Sequence, residues 1–132
     1  MTIFRFSLLA MIVTAGAVKA DGAAATLPSG QVATLYETIW EPQTAPVELW
    51  LRLRFVVPGL TAGQDFDLTG ADLLALCREV ARPVAAKAGR TADQAILSLA
   101  SEPLPFGEVN PAVVQYFEAF RLTDTDCILE GF

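Results

Sequence analysis

From Glu48 to Val57 the chain alternates without a break. Leu49, Leu51, Leu53, Phe55 and Val57 fall on one side, and Glu48, Trp50, Arg52, Arg54 and Val56 on the other. Because successive side chains of a strand point to opposite faces, this predicts a half-buried strand with one fully apolar face. That face has to be covered, so the rest of the chain must supply a layer that packs on it. The preceding stretch, Gln31 to Glu41, is rich in β-branched and aromatic residues and reads as a partner strand. Pro42-Gln43-Thr44-Ala45-Pro46 joins the two with prolines that cannot donate to a ladder, so the pair is expected as an antiparallel hairpin. Pro58-Gly59 ends the second strand.

A helix follows. Thr69 is placed to cap it, Asp72 stands where the acidic partner of a capping box belongs, and Leu68 can pack on Leu73 as a hydrophobic staple. Leu73, Cys77, Val80, Ala81 and Val84 then form one stripe at helical spacing. Pro83 is expected to stop or kink the helix near Arg82. Gln94 to Ala100 reads as a third strand, with Ile96 and Ser98 on one face and Ala95, Leu97 and Leu99 on the other. Glu102 to Gly107, with prolines at 103 and 105, is a loop. Pro111 to Phe120 suits either helix or strand; the favoured reading is one helical turn, then a strand from Gln115 to Thr123. Asp124-Thr125 turns into a last strand, Asp126 to Gly131. The order β-β-α-β-β-β predicts an α+β domain over residues 28–132, an antiparallel sheet of about five strands with one main helix on one face.

Upstream, Arg5 precedes an apolar run from Phe6 to Val18 that closes on Val18-Lys19-Ala20, the pattern of a secretory signal peptide over residues 1–20 cleaved after Ala20. The run is short for a membrane span. No stable membrane insertion is expected once it is removed, and Asp21 to Leu27 reads as a flexible lead-in. Arg5 and Lys19 would leave with the leader, taking the formal net charge from −6 to −8. So acidic a chain argues against nucleic acid as a partner. The periplasm is the expected compartment, and there an even pair of cysteines, Cys77 and Cys127, is expected as a disulfide.

Several segments carry a resemblance: Leu27-Pro28-Ser29-Gly30-Gln31 behind the leader, Arg52 to Pro58, Asp72 to Cys77, and Tyr116 to Arg121 with Cys127. Over nearly the whole mature chain these resemble a family of small uncharacterised exported proteins of Rhodobacter-type alphaproteobacteria. The resemblance implies one intact domain and supplies no catalytic residues.

The residues themselves offer little chemistry. With no histidine, neither Ser-His-Asp nor Cys-His catalysis can be assembled, and no catalytic residue, metal or cofactor is expected. Asp65-x-Asp67 and Asp124-x-Asp126 lack the continuation of a calcium loop and read as helix-entry and turn residues. If the hairpin pairs symmetrically about its loop, Trp40 lies opposite Trp50, Thr38 opposite Arg52 and Tyr36 opposite Arg54. Tyr36, Trp40, Trp50, Arg52 and Arg54 would then make a locally basic, aromatic face of the residue types that dominate binding hot spots. Two functional classes follow. One is a non-catalytic module that docks an envelope protein through that face. The other is a small carboxylate-dependent enzyme or ligand-binding domain with a cleft between helix and sheet.

Overall fold

A computed structural model describes residues 22–44 and 48–130. The expected leader, its expected cleavage point and the Pro46 side of the hairpin loop lie outside the described residues. Six strands form one sheet in chain order: β1 (Ala24–Thr26), β2 (Val32–Pro42), β3 (Leu49–Val56), β4 (Gln94–Ala100), β5 (Gln115–Leu122) and β6 (Cys127–Leu129). The α+β class stands, with two corrections. The sheet has six strands, because the expected lead-in contributes β1, which pairs Ala24 with Thr34 and Thr26 with Val32. It is also mixed, since β3 and β4 run parallel from Trp50↔Gln94 to Val56↔Ala100 while every other pair is antiparallel. A parallel pair needs a long crossover, and the helical segment between β3 and β4 provides it.

That segment comprises α1 (Phe66–Leu76), one turn of π-helix (Cys77–Ala81) and α2 (Arg82–Ala88). It begins three residues before the expected cap. Asp65 is the N-cap, its Oδ1 accepting from the Leu68 N–H at 2.9 Å, while the Thr69 hydroxyl donates to the Asp65 carbonyl at 2.8 Å from inside the helix. Asp72 makes no capping box. It is fully buried, and its Oδ1 accepts from the Ser29 N–H at 2.9 Å, tying the turn before β2 to the helix. Pro83 does not stop the helix either. The Arg82 N–H reaches back five residues to the Cys77 carbonyl, and this wider π turn precedes the residue whose ring and missing N–H would disrupt an α turn. The helix ends at Gly89, whose φ of +62° is a left-handed cap that glycine adopts without strain.

The predicted stripe packs as expected, with Leu73, Cys77 and Ala81 buried against Leu51, Leu53, Phe55, Leu97, Leu99 and Phe120 of the sheet. From Ala95 to Ala100, β4 is buried on both faces, as its nearly continuous apolar run requires of a central strand with a parallel neighbour. Cys77 and Cys127 form a disulfide that joins the helical segment to the edge strand β6. Arg82 reinforces the same junction, its guanidinium donating to the carbonyls of Thr123, Asp124 and Asp126 at 2.7 to 2.9 Å. Residues 111–113 form a turn in which the Ala112 N–H donates to Asn110 Oδ1 at 3.0 Å, and Gln115–Leu122 is strand, which settles the ambiguity at Pro111 to Phe120. No helix among the described residues is long and apolar enough to cross a membrane.

Candidate functional site

The face of the sheet away from the helix carries Trp50, Arg52 and Arg54 from β3, Ile96 and Ser98 from β4, and Gln115 and Phe117 from β5, all placed there by the register of these strands. What β2 adds to it differs from symmetric pairing. Between the loop and Glu37 the hairpin is one residue off that register, pairing Glu41↔Trp50, Trp40↔Leu51, Ile39↔Arg52, Thr38↔Leu53 and Glu37↔Arg54. A bulge at Tyr36 then restores the symmetric register at Leu35↔Phe55. A shift of one residue moves every side chain to the other face. Trp40 therefore lies on the helix side, half-buried against the core with the Arg90 guanidinium 4.4 Å above its ring. Thr38 goes with it. Glu41 and Glu37 take their places, and the bulge leaves Tyr36 on the arginine face, its ring 5.1 Å from the Arg54 guanidinium.

The expected basic island is consequently neutralised. Arg52 pairs through Nε with Glu41, and Arg54 through Nη1 with Glu37 at 2.8 Å. The Arg54 side chain is only 9% exposed, so its ion pair sits in a poorly screened setting, whereas the Glu37 carboxylate is one-third exposed. Both guanidiniums are flanked by aromatic rings. Phe106 lies 5.4 Å from Arg52 and 5.5 Å from Arg54, and Trp50 lies 5.9 Å from Arg52. Contacts of this kind contribute about 0.5–2 kcal/mol each, more as water is excluded.

Phe106 reaches the face because residues 101–114 fold back over the sheet. Leu104 and Val113 bury against Ala100, and the Tyr36 hydroxyl donates to the Leu104 carbonyl at 3.5 Å. The loop covers one end of the face and leaves the other open. Between them is a cavity of about 220 Å³ with Arg52, Arg54, Ser98 and Ile96 as its floor and Phe106, Glu108, Val109 and Phe117 around it. Phe106 and Phe117 remain 52% and 50% exposed. Sequence reading had the arginines but missed Phe106, Phe117 and the two glutamates. The prolines at 103 and 105 marked a loop without showing that it returns across the sheet, and Glu37 and Glu41 meet the arginines only through the shifted register.

The middle of the space between helix and sheet is filled by the core, and among the described residues hollows open at its edges, one of about 310 Å³ between α1 and the β5–β6 end of the sheet with Asp67 and Glu118 in its lining. An apolar groove of about 770 Å³ does open at the sheet edge, between β1 and the helical segment, with Val80, Pro83 and Val84 as its wall and Glu79 as its one carboxylate. Asp65 and Asp126 have structural partners, the first as the helix cap and the second in a two-point ion pair with Arg78 at 2.7 and 3.1 Å. That contact, with the Cys127 N–H, holds the Asp126 carboxyl down to about 2. Among the described residues no group of three or more His, Cys, Asp or Glu comes together as a metal site would require.

Neither the curated proteins nor the solved structures contain a match to this chain. A family model does match, over residues 9–132 and so over the strands, helix and arginine face just described. The chain belongs to the family of unknown function DUF6497.

Proposed function

We propose that this is an exported, periplasmic domain, cleaved after Ala20, that works as a non-catalytic interaction module and docks an envelope protein through the sheet face opposite the helix. The observation that carries the reading is the half-covered face itself. Tyr36, Trp50 and Phe106 are stacked around two charge-compensated arginines, with Phe106 and Phe117 half-exposed beside a cavity. Desolvated aromatic and arginine side chains in the middle of a patch, ringed by polar groups, are what binding hot spots consist of. The buried disulfide fits an oxidising compartment.

The test is capture of an envelope protein by the periplasmic domain, compared with a Trp50→Ala, Arg52→Glu double variant and with Phe66→Ser on the helix side. Capture is expected to vanish in the double variant while the domain stays folded, its melting temperature lowered by the lost Arg52–Glu41 pair, and to survive in Phe66→Ser, whose side chain is 82% exposed. Equal capture by all three removes the face from consideration. Intact mass checks the export step, the expected chain beginning at Asp21.

A second reading has one observation in its favour. The groove beside β1 has a volume within the range of about 300–1,000 Å³ usual for small-molecule pockets, and its lining is mainly apolar. Binding of an apolar dye that Val84→Glu abolishes would favour a lipid-like ligand there.

A further inference from the structure

We infer that the cavity under Phe106 is a receptor for the C-terminal carboxylate of the partner chain, with the partner's last side chain, an apolar one, seated between Phe106, Ile96 and Phe117. The inference rests on the docking reading above and names what that face recognises.

Three features of the cavity select this ligand. The first is its donors. The ion pairs with Glu41 and Glu37 engage Nε of Arg52 and Nη1 of Arg54, which leaves the other N–H groups of each fork for a second acceptor, and both side chains line the cavity floor. The Ser98 hydroxyl and the Gln115 amide stand at the same cavity.

The second is charge. Each arginine already has its own glutamate, and Glu108 is at the rim. With two arginines against Glu37, Glu41 and Glu108, the site has no positive charge in excess, so a carboxylate is held there by hydrogen bonds from the free guanidinium N–H groups and a doubly charged phosphate is disfavoured. The third is size. About 220 Å³ is below the range of pockets that enclose whole small ligands, and it has room for one terminal residue whose preceding backbone leaves past Phe117 and Val109. The apolar lining beside the arginines then meets the terminal side chain while the guanidiniums meet the carboxylate.

The experiment follows amide chemical shifts of the isotope-labelled periplasmic protein during titration with acetyl-Gly-Gly-Phe bearing a free carboxylate, with the same peptide amidated, and with phenylpropionate. The free-acid peptide is expected to shift the amides of Ser98, Phe106, Gln115 and Phe117 and to bind about tenfold more tightly than the amide, the effect of losing a charge-assisted hydrogen bond. Arg54→Gln should erase that preference. Because Arg54 is buried and its loss can disturb folding, Phe117→Glu at the half-exposed mouth is the second variant, and it should weaken the free acid more than the amide. Equal affinity of acid and amide, shifts confined to other residues, or no shift at millimolar peptide overturns the inference. Phenylpropionate binding as tightly as the peptide acid overturns it too, in favour of a small-acid site. Arg52 lines the cavity and Trp50 does not, so loss of capture in Trp50→Ala alone together with a failed titration would retain the docking face and discard the carboxylate pocket.

Discussion

The two faces of the sheet are built from the same strands to different ends. On the helix side, Leu51, Leu53, Phe55, Leu97 and Leu99 are fully buried under a helical segment that is tied down by a disulfide and by Arg82. On the other side, a loop covers only part of the sheet, and polar and aromatic side chains take the alternate positions. The first face is sealed by apolar contact, which is additive and indifferent to direction. The second is held by ion pairs and ring contacts, which are directional, contribute less to stability and leave groups free to meet something else. The same period-2 backbone can thus carry both, because substitutions on one face leave the packing of the other largely alone.

The largest effect expected from this contrast is at the disulfide. Replacing both Cys77 and Cys127 by Ala frees a loop spanning 50 residues and should lower unfolding free energy by about 4 kcal/mol, measured by denaturant titration. A loss below about 1 kcal/mol would mean that packing alone holds β6 to the helix.

The two tryptophans break the comparison more finely. Trp40→Ala removes a ring packed on the core and under Arg90, and should cost about 2–3 kcal/mol. Trp50→Ala, on the open face, should cost about 1 kcal/mol or less. The reverse order would put Trp40 back on the arginine face and return the hairpin to symmetric register.

The smallest effect is set by acid. The Arg78 contact lowers the Asp126 carboxyl to about 2, below its ordinary value of 3.8, so the pair stabilises the fold above that ordinary value. The contribution is lost as pH falls from about 4 towards 2, where the unfolded chain takes up the proton first. Melting temperature should therefore fall less steeply over that window in Asp126→Asn than in the parent. The difference should be modest, since both partners are about half exposed.

Much of the architecture was legible before any coordinates. The alternation of Glu48 to Val57 placed a strand with a leucine face, the stripe from Leu73 to Val84 placed a helix above it, and an even pair of cysteines, read as a disulfide, implied the bond between helix and last strand. Errors fell where one residue has two local uses. Thr69 can cap a helix, but Asp65 stands four residues earlier and caps it first; Pro83 can break a helix, but a π turn ahead of it lets the chain continue. The lead-in looked disordered because three small residues carry no pattern, yet pairing with β2 makes a strand of them.

By itself the sequence determined that β2 to β6 are strands, that a helix lies between β3 and β4, and which side of β3 is apolar, because alternation and helical spacing are local properties of a chain. The tertiary structure decided that β3 and β4 run parallel, that Trp40 leaves the arginine face, and that Glu37, Glu41 and Phe106 join it. These depend on which strand lies beside which and in what register. The helical crossover settles which strand lies beside β3, and the bulge at Tyr36 and the path of one loop settle what joins its polar face; the hydrogen bonds that reward those choices link residues far apart in the chain, where no short-range pattern records them.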